Sequence, residues 1–274
     1  MFRLIIVILC LAPVASPVGA QERLSDLFVD AQIVILGEVH DNPIHHTNQA
    51  RITADVAPQA MVFEMIAPES AAAIKEEHRA DATRLDALLD WEASGWPDFD
   101  MYYPIFQAAP RAKIFGAAVG REKIGQAFKD GASGAFGADA SRFGIDQPLD
   151  DGELERRLEL QQEAHCGALP EDLLPGMVEA QRLKDAALAR ATLDAFDHAS
   201  SVSDAPRVVV ITGNGHARSD WGLPAMLEFA LGAESGVTVA TFAQFESSAP
   251  QSPPFTSFVV TEAVDRPDPC DTFK

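Results

Sequence analysis

Five stretches of the chain are apolar on both faces, and they limit its fold more than anything else in the sequence. They are "QIVILG" from Gln32, "AMVFEM" from Ala60, "KIFGAAV" from Lys113, "RVVVIT" from Arg207 and "GVTVATF" from Gly236. A strand with one wet face alternates apolar and polar residues. These do not, so both faces must be covered. Helical stretches separate them. Asn42 caps and Pro43 opens one that runs to about residue 56, and others are expected over 69–78 and 98–109. The pattern predicts an α/β fold, a mostly parallel sheet flanked by helices, with "FTSFVVTEA" as an edge strand.

Between the third and fourth strands, close to ninety residues carry no convincing strand. The Gly-rich "GASGAFGADASRFG" reads as a loop or lid. After it, "DDGELERRLELQQEAHCGALP" and "GMVEAQRLKDAALARATLDAFDHAS" read as two helices. In the second, Met177, Ala180, Gln181, Lys184, Leu188 and Ala191 share one side. The expectation is a helical insertion of about residues 131–203, capping the sheet's carboxyl edge. A length of 274 residues suits a single α/β domain.

Residues 1–20 fall outside that domain. Arg3 precedes the apolar "LIIVILCLAPVA", and Val18 and Ala20 are the small residues that a signal peptidase needs before Gln21. The sequence therefore predicts a secretory signal peptide, a mature domain of 21–274 and a periplasmic or secreted product. Cys10 raises lipid anchoring as an alternative, and the bulky Leu9 before it argues against that. Cleavage leaves two cysteines, Cys166 and Cys270. In an oxidising compartment they pair into one disulfide that ties the tail to the middle of the chain; the alternative is two free thiols. With 41 acidic against 21 basic residues the formal net charge is −20. Such a surface repels phosphate backbones, which argues against a nucleic-acid partner.

Parallel strands deliver their last residues to one edge, and ligands bind in the crevice outside it. The first strand ends in Gly37-Glu38-Val39-His40 and the second in Glu64. The third leads to Arg121, and the fourth ends in "TGNGHAR", with His216 and Arg218. Two strands therefore finish in the same GxxH tetrad, Gly37 to His40 and Gly213 to His216. Burying imidazoles and carboxylates costs several kcal/mol unless they pair or bind a cation. A shared site is the economical explanation for Glu38, His40, Glu64 and His216. His45 and His46 open a helix, and His78, His165 and His198 lie on charged helical stretches that read as solvated.

The stretches "GEVHDNPIHH", "VFEM", "SGWPDFDMYYPIF", "HCGALP", "MVEAQRLKDAALA" and "ITGNGHAR" resemble the ChaN-like haem-binding uptake proteins, of the superfamily that holds Tiki, TraB and the erythromycin esterases. The resemblance runs from about Ser25 to Ala230, and Lys184 departs from it where a second arginine is expected. It implies an exported haem-binding protein of iron acquisition, working with an outer-membrane uptake system, its haem lying between two subunits of a homodimer. Tyrosine phenolate suits ferric haem. The mature chain has two tyrosines, Tyr102 and Tyr103, and Tyr103 is the preferred ligand; Arg121 and Arg218 would meet the propionates.

The resemblance also implies an alternative, a hydrolase of the protease or esterase kind. Glu38, His40, Glu64 and His216 would hold a divalent metal ion that activates water. Without metal, His40 would be the general base, with Glu64 in the reacting set and His216 and Arg218 stabilising an oxyanion.

Overall fold

The computed structural model describes residues 24–268, 270 and 271, so the signal-peptide expectation over 1–20, with Cys10 and Ala20, lies outside them. Six strands form one sheet: β1 (Ile33–Glu38), β2 (Ala60–Phe63), β3 (Lys113–Gly116), β4 (Val208–Gly213), β5 (Val239–Glu246) and β6 (Ser257–Thr261). Their order is β3-β2-β4-β1-β5-β6 and every pairing is parallel. The apolar runs are the buried strands, and "FTSFVVTEA" supplies the edge strand β6. β1 and β4 are buried at every position, as strands covered on both sides must be.

The helices that position the site are α1 (Pro43–Val56), α2 (Phe99–Ala108), α3 (Arg121–Asp130), α4 (Asp151–Ala164), α5 (Leu174–Val202) and α6 (Leu223–Leu231). Successive strand residues point to opposite faces. Ile33, Ile35, Val62, Val208 and Val210 meet Leu183, Leu188 and Leu193 of α5 and Leu223 and Leu227 of α6. Val34, Leu36, Phe63, Val209 and Ile211 meet Ile52 and Val56 of α1 and Tyr102 and Phe106 of α2. The Phe63 and Phe106 rings stack at 4.4 Å across that second layer.

The connections place the crevice. From β1 the chain turns into α1 on one face of the sheet, whereas from the neighbouring β4 it passes to α6 on the other. Two adjacent strands whose connections leave on opposite faces open a gap beyond their carboxyl ends. The register sets Gly37 beside Thr212 and Glu38 beside Gly213, which brings the two GxxH tetrads together at that gap. Gly37 is a close approach: a Cβ there would lie 2.4 Å from the Asn214 side-chain oxygen.

Some expectations shift. The helix expected over 69–78 breaks into Pro68–Ala73 and Glu76–Arg79, because Ile74 and Lys75 are extended and His78 turns back to accept from the Lys75 amide. β3 ends at Gly116, where a Cβ would lie 2.4 Å from the Ile66 carbonyl, and the rest of "KIFGAAV" is a loop. The Gly-rich segment after α3 is not a lid: Ala132, Ala135, Phe136, Ala140 and Phe143 are buried in the core. α5 lies along the sheet as one of its covering layers and carries Gln181, Lys184 and Asp185 toward the carboxyl edge. Cys166, just after α4, is joined to Cys270 by a disulfide with a Cα–Cα distance of 5.5 Å. No helix among the described residues is long and apolar enough to cross a membrane.

Candidate functional site at the sheet edge

Past β1 the chain makes a tight turn into α1, and side chains of α1 hold that turn. The Asn42 oxygen accepts from the Ile44 amide and caps the helix. The Val39 amide donates to His45 Nδ1 at 2.9 Å, and His45 Nε2 meets the Thr261 hydroxyl at 2.8 Å. Burial keeps His45 neutral, lowering its pKa to about 4, so this histidine is a structural pin between β1 and β6. His46 donates through Nε2 to the His40 carbonyl at 2.8 Å and leans on the Tyr102 ring.

These contacts present His40. Its Nδ1 donates to Glu38 Oε1 at 2.7 Å, and the Tyr102 hydroxyl donates to the same oxygen at 2.8 Å. Burial opposes charge on His40, but Glu38 outweighs it and the pKa is raised. The Trp96 ring stands edge-on to the imidazole at 4.8 Å. The other ring nitrogen, Nε2, has no partner among the described residues. It faces Gly213, where a Cβ would come within 2.9 Å of it and within 3.8 Å of Glu64 Oε2. His40 and Glu64 therefore share the space over Gly213, and only glycine leaves it open.

A second carboxylate–imidazole chain meets the first there. Glu64 Oε2 accepts from the Thr212 hydroxyl at 2.7 Å and the Gly213 amide at 2.9 Å, while Oε1 lies 3.3 Å from His216 Nε2. His216 Nδ1 donates to Asp185 Oδ1 of α5 at 2.6 Å. Burial opposes charge on both Glu64 and His216, yet each secures the other. Glu64, with His216 and His40 nearby, is held well below the usual carboxylate range. Glu64 and Asp185 together raise His216 to about 10. Burial pushes Asp185 up and His216 pulls it down. The short contact marks Asp185 as the ionised partner of an imidazolium.

Beside this cluster lies a crevice of about 400 Å³ whose walls include Glu64, Met65, Leu89, Trp96, Ile124 and Leu188. Arg121, at the start of α3, and Lys184 of α5 are its cations. The structure thus brings together Glu38, His40, Glu64 and His216, with Arg121 on the adjoining wall. Tyr103 and Arg218 are placed elsewhere. The Tyr103 hydroxyl donates to the Arg79 carbonyl at 2.9 Å. Arg218 is clamped by Asp220 through Nε and Nη2 and stacks on Trp221 at 3.7 Å. Tyr102 is fully buried, and burial together with Glu38 pushes its phenol up, so it stays protonated as a donor.

Among the described residues no three His, Cys, Asp or Glu side chains are arranged to hold a metal ion. Locally, Glu38 Oε1 is taken up by His40 and Tyr102 while its Oε2 lies 3.4 Å from His46 Nδ1, and Glu64 and His216 are taken up by each other and by Thr212, Gly213 and Asp185. The divalent-cation expectation for Glu38, His40, Glu64 and His216 therefore finds no site in this arrangement.

The sequence reading missed Asp185 and the part played by Tyr102. A signal for Asp185 was there: Val178, Arg182, Asp185, Ala189 and Thr192 follow helical spacing and are all buried, and a carboxylate on such a stripe needs a cation.

The profile of the family described as haem-binding uptake, Tiki superfamily, ChaN matches residues 24–227. Among solved structures, one describing cofacial haem binding to ChaN of Campylobacter jejuni is similar in fold, with a TM-score of 0.59 and 18% identity over 82% of this chain and 86% of that one. The type III effector HopBA1 has a TM-score of 0.41 at 14% identity, covering 84% and 88%. A mutant of the erythromycin esterase EreC has 0.40 at 10%, covering 85% and 76%. These last two are too distant to carry an argument. No curated protein matches the chain.

Proposed function

Because the chain belongs to the haem-binding uptake family of the Tiki superfamily, that of ChaN, we propose that it is an exported protein that binds haem at this sheet edge for iron acquisition. The observation that carries the reading is His40. Its Nε2 has no partner among the described residues and its ring stands against Trp96, a wall of the crevice, while its Nδ1–H is oriented by a buried carboxylate. That is how proteins prepare an imidazole for a metal: the second nitrogen donates to a carboxylate, which fixes the tautomer and strengthens the ligand. The other residues fit the group too. Met65, Leu89, Ile124 and Trp96 offer apolar wall, and Arg121 and Lys184 give one cation for each of two propionates. Haem, when bound, supplies an iron that accepts imidazole or phenolate as an axial ligand.

Geometry favours His40 over Tyr103 as that ligand, since Tyr103 must first surrender the Arg79 carbonyl. Export is supported by the disulfide, which belongs to oxidising compartments. The homodimer and the outer-membrane uptake partner follow from the family reading alone.

Haemin titration tests this. The mature protein should develop a Soret band of bound haem, His40→Ala should weaken binding about tenfold or more, and Tyr103→Phe should leave it intact. If Tyr103→Phe abolishes the band and His40→Ala does not, the phenolate is the ligand. If the wild type gives no band, the haem reading fails.

One observation favours a second reading, hydrolysis without a metal. Two carboxylate-backed imidazoles lie beside Glu64: His216 is held as an imidazolium by Glu64 and Asp185, whereas His40, also raised by Glu38, leaves its Nε2 without a partner among the described residues. Such a pair could take a proton from water and stabilise a developing oxyanion. Arg218, expected to help, is turned away. Ester or peptide hydrolysis lost in His40→Ala would establish this reading.

A further inference from the structure

Behind His216 lies a separate cavity of about 210 Å³, walled by α4, α5 and the segment after β4. We propose that it binds a small organic carboxylate, held between the free guanidinium nitrogens of Arg157 and Arg218.

Arg157 is buried and its bonds are uneven. Its Nε and Nη2 donate to Glu153, Nη2 also donates to the Trp221 carbonyl, and Nη1 has no partner among the described residues. Arg157 lines the cavity. Arg218 repeats the arrangement. Asp220 takes Nε and Nη2, and Nη1 is left over on the wall of the same cavity. Each arginine is thus fixed by one carboxylate and keeps one donor group without a partner among the described residues, both on the wall of a common space. Guanidinium donors pre-positioned in this way suit a carboxylate.

Arg156, Arg157 and Arg218 all lie within 6 Å of the Trp221 ring. On the cavity wall itself Arg157 and Arg218 are each matched by one acid, Glu153 and Asp220, with Asp185 also near Arg157. The attraction for an anion therefore rests on the unpaired guanidinium donors rather than on net charge. The remaining wall decides the class of anion. Leu160, Ala164, Val178 and Trp221 are apolar, and inorganic phosphate would leave them facing water. The volume, about seven times a water molecule's share of the liquid, accommodates an acid with a short apolar body. Gln181 lines the cavity and also places its amide 3.0 Å from His216 Nδ1, so an occupant would touch the relay that ends at Glu64.

Benzoate and its neutral isostere benzamide are the probes, titrated by calorimetry into the mature protein. Benzoate should bind saturably at millimolar concentration or below, and benzamide about tenfold or more weakly, since a charge-assisted bond is lost. Arg218→Gln should weaken benzoate similarly. Because that change also releases Asp220 and Trp221, Leu160→Trp provides the second variant: it fills the cavity from the outer side of α4 and should abolish binding. His40→Ala should bind benzoate as the wild type does, which keeps this site distinct from the haem crevice. The proposal is overturned if the wild type shows no saturable binding, if benzamide equals benzoate, if Leu160→Trp still binds, or if His40→Ala loses binding.

Discussion

Replacing His216 with leucine should destabilise the protein by about 3–5 kcal/mol, measured by urea denaturation at pH 6. The side chain sits between two carboxylates, Glu64 at 3.3 Å and Asp185 at 2.6 Å, and all three residues are buried. Removing the cation leaves two like charges in a dry interior, and at least one must take up a proton or draw in water. Asp185→Leu should cost less, because the Glu64–His216 pair survives it and Glu64 keeps its bonds from Thr212 and Gly213. The double variant should therefore be more stable than the sum of the two single losses implies, since each change removes part of the other's penalty.

The same trio sets a pH dependence whose sign can be worked out. Glu64 has a lowered folded pKa, so its contribution is complete above the unfolded carboxylate value of about 4.3 and fades as the pH falls through the folded one. His216 is raised to about 10, so its contribution is complete below the unfolded value of about 6.5 and fades as the pH climbs toward 10. Asp185 is raised by burial and opposes Glu64 at the acid end, which makes the acid limb the shallower one. Wild-type protein should lose stability steadily between about pH 6.5 and 9.5, and His216→Leu should lose much less over that interval. A leucine variant within about 1 kcal/mol of wild type at pH 6 would show that no imidazolium is buried there.

Legibility of this fold in the sequence divides along physical lines. The strands were readable because burial on both faces writes an unbroken apolar run, and a parallel sheet follows from that with helices between. Convergence of the two tetrads was readable for the same reason, since parallel strands end at one edge. The pairing of β1 with β4, which sets Glu38 beside Gly213, depends on the path of the connections and leaves no periodic trace. Tyr102 and Tyr103 illustrate another limit. Neighbours on a helix point about 100° apart, so one hydroxyl reaches Glu38 in the core and the other a carbonyl of the helix Glu76–Arg79. Composition cannot choose between them without the helix's rotation. Arg218 is the opposite case, because "ARSD" already places Asp220 two residues on as its counter-ion.

Breaking the disulfide should have the other large effect. Cys166 and Cys270 are 104 residues apart, and in the chain-entropy account a loop of about 100 residues corresponds to about 4.7 kcal/mol; measured values centre on about 2–4. Cys270→Ser should lower stability by that measured amount, and reducing the wild type should lower it equally. The tail has a second anchor that survives the change. Arg266 donates to both Asp41 and Glu246, and Glu246, held to about 2 chiefly by that arginine, also accepts from Asn42 at the start of α1. These groups are partly exposed, so Arg266→Gln alone should cost about 1 kcal/mol or less. With the disulfide gone, Arg266 is the remaining side-chain anchor of the tail, but the same substitution should still cost no more than that, because holding a freer tail carries its own entropic cost. Thiol titration of protein purified from an oxidising compartment should find no free cysteine. Two free thiols together with full stability would remove the tie between tail and α4, and with it the structural support for export.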